Sequence, residues 1–122
     1  MKANELRIGN LLNYQTAEGD ILTAIIDWQD LKWLSEDEKG FNLVHNPILL
    51  TEDWLLKFGF KYSLKLDDFM FKDQNDIFEM QPYKKGFLNS VLWCDNEILQ
   101  EVKYAHQLQN LYFSLTGEEL SL

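Results

Sequence analysis

The sequence has 122 residues, a length that suits one domain and is too short for two full hydrophobic cores. Apolar residues make up 46% of it and aromatic residues 14%, a composition that excludes a disordered chain. Twenty Asp and Glu residues against eleven Lys and Arg give a formal net charge of −9, which disfavours direct binding to nucleic acid because the phosphates would be repelled. We predict a single domain over residues 1–122.

The first part of the chain, residues 6–33, predicts short antiparallel strands. Residues 11–14 and 21–28 are rich in apolar and β-branched side chains, and the polar stretch 16–20 between them suits a hairpin turn. Gly19 can supply the positive φ that such a turn often needs. This interpretation continues the second strand as far as residue 28.

A polar and acidic segment, residues 34–40, predicts a loop. Ser35 and Glu38 have the spacing of a capping box, but the glycine at the end of the segment would stop a helix after about one turn. A short central helix is predicted further on. There Thr51 precedes two acidic residues as an N-cap, and Gly59 follows the last apolar residue.

The rest of the chain predicts a meander of strands and a final helix. Residues 60–66 alternate between apolar and polar, which indicates a strand with one buried and one solvent-facing side. Further apolar runs between polar turns continue the pattern, with a last strand over 98–103. From about Tyr104 the apolar residues recur at helical spacing until Gly117, which suits a C-cap. The sequence therefore predicts an α+β fold, in which small curled antiparallel sheets are packed by the short central helix and the C-terminal helix.

No combination of residues predicts catalysis, a cofactor or a metal site. His106 stands among polar residues at the start of the last helix and is interpreted as a structural hydrogen-bonding residue, with a ligand or general-base role as the alternative. His45, His106 and the sole cysteine, Cys94, lack the paired spacings of a zinc site. We expect a protein that is not an enzyme and uses no cofactor. The lone cysteine and the absence of an apolar leader or membrane-length run predict a cytoplasmic protein.

Three blocks of the sequence carry a resemblance to a known family. They are residues 1–10 (MKANELRIGN), 50–60 (LTEDWLLKFGF) and 106–120 (HQLQNLYFSLTGEEL). In these blocks the chain resembles a family of short bacterial proteins encoded by prophages and other mobile elements. The resemblance implies this genomic setting and brings no enzymatic activity with it. Small phage-borne proteins without catalytic residues often occupy a surface of a host enzyme, so it also implies an inhibitor of a bacterial defence nuclease, of the anti-CRISPR kind.

The expected partner is therefore a protein, specifically a nuclease or its RNA-bound complex, with no direct contact to nucleic acid or membrane. Carboxylates could cover a basic groove, and exposed tryptophans are common interface anchors, although both would also serve a solvated surface or a core. The candidate contact residues are Glu36, Asp37, Glu38, Asp67, Asp68, Asp73, Asp76, Trp28 and Trp33. The alternative function is a structural or regulatory accessory protein of the mobile element that self-associates through a sheet edge or the tryptophan region.

Overall fold

In a computed structural model of the chain, the described residues are 1–64, 68–72, 77–83, 87–92, 98–100, 102–120 and 122. They fall into two compact units, of which the first comprises Met1–Ile48 and Tyr104–Ser121 and the second Leu49–Lys103 and Leu122. The predicted α+β class is confirmed, because each unit combines an antiparallel sheet with helix. The single domain expected over 1–122 stays a prediction.

The sheet of the first unit is built around a hairpin, as predicted. Strands β1 (Leu11–Gln15) and β2 (Ile21–Ile25) pair antiparallel, and β3 (His45–Pro47) pairs antiparallel with β1, so the strand order is β2–β1–β3. In the hairpin turn Gly19 adopts a φ of +91°. Residues with a Cβ are strained in that conformation, which explains the glycine.

A helix begins where the sequence predicted the end of a strand. β2 stops at Ile25, and helix α1 spans Trp28–Glu36. Its start is fixed by two reciprocal bonds: the Asp27 carboxylate accepts from the Asp30 amide at 3.0 Å, and the Asp30 carboxylate accepts from the Asp27 amide at 2.9 Å. Such a capping box satisfies amides that the first helical turn leaves unpaired. The prediction that the strand continues to Trp28 was therefore wrong, and both Trp28 and Trp33 lie on a helix.

The predicted loop over residues 34–40 is also wrong, because a second helix, α2 (Glu38–Val44), begins within it. Asp37 is the N-cap of α2, and its carboxylate accepts a hydrogen bond from the Gly40 amide at 3.0 Å. Gly40 therefore lies in the first turn of a helix and does not end one. A Cβ at residue 40 would overlap the Asp37 carboxylate, so the absence of a side chain is what allows this cap to close.

The core of the first unit joins the sheet to the helices that follow it. Its buried members come from the segment before β1, from β1, from the end of the hairpin and from both helices. They are Leu6, Leu12, Ile26, Leu34 and Phe41. Met1, Ala3 and Leu31 pack against this cluster and cover its margin.

The C-terminal helix, α4 (Ala105–Thr116), packs against β1 and is held there by a buried amide. It ends at Gly117, whose φ is +76°, so the predicted C-cap is confirmed. The Gln109 side chain is 1% exposed and accepts a hydrogen bond from the Leu11 amide at 2.9 Å. Gln109 is one of the polar residues near His106, where the sequence left a ligand site open. In the structure its side chain instead joins α4 to the sheet by a hydrogen bond.

The second unit contains the predicted central helix, α3 (Glu52–Lys57). The Thr51 side chain accepts a hydrogen bond from the Trp54 amide at 3.4 Å, and Gly59 follows the helix with a φ of +97°. Leu55 and Phe58 are both buried. The N-cap and the glycine of this helix are thus as the sequence predicted.

Five antiparallel strands follow in sequential order in the second unit. They are β4 (Lys61–Ser63), β5 (Asp68–Lys72), β6 (Ile77–Tyr83), β7 (Phe87–Leu92) and β8 (Ile98–Gln100). The last strand is shorter than the predicted 98–103. The buried face predicted for residues 60–66 is wrong at Tyr62 and Leu64, which are 45% and 88% exposed. β4 is a three-residue strand at the edge of the sheet order, and alternation alone does not bury a residue there.

Candidate protein-binding surface

The predicted contact residues lie in different parts of the structure. Residues 36–38 and both tryptophans, Trp28 and Trp33, belong to α1, α2 or the junction between them. Asp68 is the first residue of β5 in the second unit. The remaining three, Asp67, Asp73 and Asp76, lie outside the described residues. Among the described candidates, five therefore lie on one segment of the first unit, residues 28–38.

Trp28 and Trp33 lie on different sides of α1. They are five positions apart, which separates them by about 140° around the helix axis. Trp33 is 38% exposed, and its ring packs edge-on against Phe41 and His45 with 5.3 and 5.5 Å between ring centroids. Trp28 is 62% exposed. Trp33 therefore contributes in part to the core, while Trp28 offers most of its ring to solvent.

The acidic corner, which consists of Glu36, Asp37 and Glu38, lies where α1 meets α2. All three residues are exposed. The Asp37 carboxylate is engaged as the cap of α2. Lys32 Nζ lies 4.0 Å from Glu36 Oε1, and because both side chains are about two-thirds exposed, this pair contributes little. Glu36 and Glu38 therefore direct negative charge into solvent from two capped helices.

A shallow groove lies beside the acidic corner. It has a volume of about 550 Å³ and is lined by Met1, Glu38, Lys39, Asn42 and Leu43. The terminal ammonium of Met1 donates to Asn42 Oδ1 at 2.9 Å, and Asn42 Nδ2 donates to the Glu38 carbonyl at 2.8 Å. Leu43, which no pattern in the sequence singles out, is 74% exposed. The exposure of Leu43 could have been predicted only if a helix had been predicted over residues 38–44.

Strand β2 presents apolar side chains to solvent. Ile21, Leu22 and Ile25 are 67%, 55% and 69% exposed, and β2 stands first in the strand order with β1 as its paired neighbour. The sequence predicted the hairpin but not this exposure. The available signal was the segment ILTAI itself, which lacks the apolar and polar alternation of a strand with one buried face.

Both histidines are buried in the first unit. The ring of His45 stacks on Phe41 with 3.9 Å between centroids, and its Nδ1 lies 3.0 Å from the Phe41 carbonyl oxygen. His106 is 3% exposed, and its Nδ1 has no hydrogen-bond partner within the described residues. Burial lowers the pKa of His106, and the negative charge of Glu5 opposes that shift. The structural hydrogen bond expected of His106 is thus not made by its Nδ1.

The described residues contain no group of three or more His, Cys, Asp or Glu placed to hold a metal ion. Cys94, the third residue considered as a ligand, lies outside them. In the same described ranges, no helix has the length and apolar character to cross a membrane.

Comparison with known proteins adds no relative. No family model matches the sequence, and no match was found among curated proteins or solved structures. The resemblance to proteins of prophages and mobile elements therefore stays a prediction. The exposed residues of the first unit are consequently the observations from which a function can be proposed.

Proposed function

We propose that this chain is a non-enzymatic interaction protein that binds a basic surface of a protein partner through its acidic corner. The supporting observation is the exposure of Glu36 and Glu38 at the junction of two capped helices, where the pairing of Glu36 with Lys32 is weak. The net charge of −9 adds a long-range field of the same sign. Such a field accelerates encounter with a basic partner and discriminates against acidic ones.

The partner that we propose is a defence nuclease of a bacterial host, or its RNA-bound complex, met in the cytoplasm. Enzymes of this kind hold nucleic acid in positively charged channels, where an acidic protein surface can compete for the same positive charges. This mode of action is of the anti-CRISPR type, and it requires neither a cofactor nor a catalytic residue. It is supported by the charge of the chain and by the resemblance carried by residues 1–10, 50–60 and 106–120.

Capture of the partner from host lysate tests this proposal. The tagged full chain is incubated with lysate at low and at high salt, and the bound proteins and nucleic acid are identified. We expect a nuclease or its RNA-bound complex at low salt and less of it at high salt, because salt screens exposed charges. A partner whose recovery does not change with salt, or no partner at all, would contradict binding by charge.

Charge reversal then locates the binding surface. Glu36→Lys with Glu38→Lys should weaken binding of the captured partner by about tenfold or more, because each change replaces an attraction with a repulsion. Glu18→Lys with Glu118→Lys is the matched control, since it makes the same change in net charge at two other exposed acidic residues. Equal losses in the two double variants would show that overall charge, and not the acidic corner, governs binding.

A second candidate function is self-association as a structural or regulatory accessory protein of a mobile element. The exposed strand β2 (Ile21–Ile25) is the observation that favours it. An edge strand with free backbone groups is a ready template for pairing with another chain. In the lysate experiment this function predicts recovery of the protein itself without a nuclease.

A further inference from the structure

The outer edge of β2 offers backbone groups that β1 does not use. The Ile26 amide donates to the Asn10 carbonyl at 2.9 Å, which shows that even-numbered residues of this strand turn their backbone groups towards β1. In an antiparallel ladder the intervening residues point the other way. The amides and carbonyls of Ile21, Thr23 and Ile25 are therefore directed to the opposite edge, where the described residues place no further strand.

The same three residues carry exposed side chains on one face of the strand. Successive side chains of a strand alternate between faces, so Ile21, Thr23 and Ile25 lie together, with Leu22 on the opposite face. All four are exposed. Edge strands are usually protected by a charged residue, a proline or a bulge, and ILTAI contains no charge and no proline. Its register with β1 is continuous over all five residues, so it has no bulge either.

We propose that β2 pairs antiparallel with β2 of a second copy of this chain, about a two-fold axis at Thr23. In this register Thr23 faces Thr23 of the second copy, and Ile21 faces Ile25. In this register the odd-numbered residues of the two copies lie opposite each other. Their outward-directed amides and carbonyls can then form the hydrogen bonds between the two strands. The contact is the same patch on both copies, so it closes at a dimer and joins the two sheets into one.

The charges at the ends of β2 fit this self-pairing. Asp20 would face Ile26 of the second copy, and Asp27 would face Gly19, so no carboxylate lies directly opposite another. Asp20 of one copy and Asp27 of the other would be diagonal neighbours, and each copy carries a net charge of −9. The two copies therefore repel each other, and salt screens this repulsion. Two short strands bury an area at the low end for interfaces, below about 1,200 Å². We therefore expect a concentration-dependent dimer that tightens as salt is raised.

A cysteine at the two-fold axis tests the register in the full chain carrying Cys94→Ser. Thr23→Cys should give a disulfide-linked dimer with copper–phenanthroline in air, because the Cα atoms of a hydrogen-bonded antiparallel pair lie about 5.5 Å apart, within the range of a disulfide. Ile21→Cys is the matched control on the same face, but its counterpart would lie about 13 Å away along the strand. We expect cross-linking at least about tenfold faster for Thr23→Cys. Equal rates, or a faster Ile21→Cys, would overturn this pairing.

Sedimentation over a range of concentrations tests the dimer itself. Thr23→Lys places two lysines across the axis and should raise the dimer dissociation constant at least about tenfold, because like charges directly opposite each other are destabilising. Gln15→Lys adds the same charge on the same face of β1, away from the edge, and should not raise the constant. Circular dichroism verifies that both variants fold. A chain that is monomeric throughout, or a dimer insensitive to Thr23→Lys, would refute the proposal. Neither variant changes the acidic corner, so partner capture through that corner fails or succeeds independently.

Discussion

Replacing Gln109 by alanine should destabilise the first unit more than any substitution of a surface glutamine. Its side chain accepts a hydrogen bond from the Leu11 amide at 2.9 Å. Its Nε2 donates to the carbonyl oxygens of Gly9 and Leu120, at 3.1 Å each. The residue is 1% exposed, so water cannot take over these bonds in the folded protein without opening the structure.

The magnitude follows from what the alanine leaves behind. A buried donor without a partner costs about 1–3 kcal/mol, and the Leu11 amide would become such a donor. The two carbonyls lose one donor each, and the truncated side chain leaves a cavity, which together add about 1–2 kcal/mol. We expect the free energy of unfolding to fall by about 2–5 kcal/mol, a large part of the ~5–15 kcal/mol of a typical domain.

Urea denaturation measures this loss directly. With an m-value of about 2 kcal/mol/M, a loss of about 3 kcal/mol moves the unfolding midpoint by about 1.5 M. Gln29→Ala is the matched control, because Gln29 is an exposed residue of α1 and its replacement should change stability by less than about 0.5 kcal/mol. A fall of less than about 1 kcal/mol for Gln109→Ala would show that these bonds do not hold α4 to the sheet.

Two further predictions concern a helix cap and a buried histidine. Asp27→Ala removes the capping box of α1 and should lower the melting temperature by a few degrees at neutral pH. The hydrogen bond from the Asp30 amide lowers the pKa of Asp27 from 3.8, so the cap stabilises the folded state above that pH. The difference in melting temperature between variant and wild type should vanish as the pH falls through the lower, folded pKa. Burial likewise lowers the pKa of His106 from 6.5, so its neutral form belongs to the folded state. The stability that neutral His106 contributes should be fully present above pH 6.5 and should be lost as the pH falls through the folded pKa. Urea denaturation at several pH values should show this loss in the wild type and not in His106→Gln. The same pH profile in both proteins would contradict this role of His106.

Local signals were sufficient where a cap residue or a glycine marks the end of an element in the sequence. Thr51 and Gly59 delimit α3, and Gly117 ends α4, because a cap side chain and a left-handed glycine act within a few residues. The hairpin was predictable for the same reason, since Gly19 and the β-branched residues after it are adjacent in sequence.

The errors arose where two local signals compete. The apolar residues before Asp27 read as a strand that continues, whereas the reciprocal bonds between Asp27 and Asp30 start a helix. Gly40 reads as a helix end, yet its position three residues after Asp37 makes it part of a first turn. Deciding between such readings requires the packing of the helix on the sheet, which a local pattern does not contain.

Long-range contacts were beyond sequence reasoning for a different physical reason. Gln109 and Leu11 are joined by a hydrogen bond across 98 positions, and no periodicity relates them. The solvent exposure of a side chain is likewise not given by a local sequence pattern. Trp33 and Trp28 have the same side chain, and contact with the rings of Phe41 and His45 makes Trp33 partly core. The candidate surface therefore became definable only once the contacts were known.

The two interactions proposed for the first unit should respond to salt in opposite directions. Binding by the acidic corner gains from attraction between opposite charges, so raising the salt concentration should weaken it. Pairing of β2 with a second copy brings together two chains of −9, so the same change should strengthen it. High salt should therefore favour the dimer, and low salt the complex with the nuclease. Because the acidic corner and β2 share no residue, Thr23→Lys should weaken the dimer without abolishing partner capture.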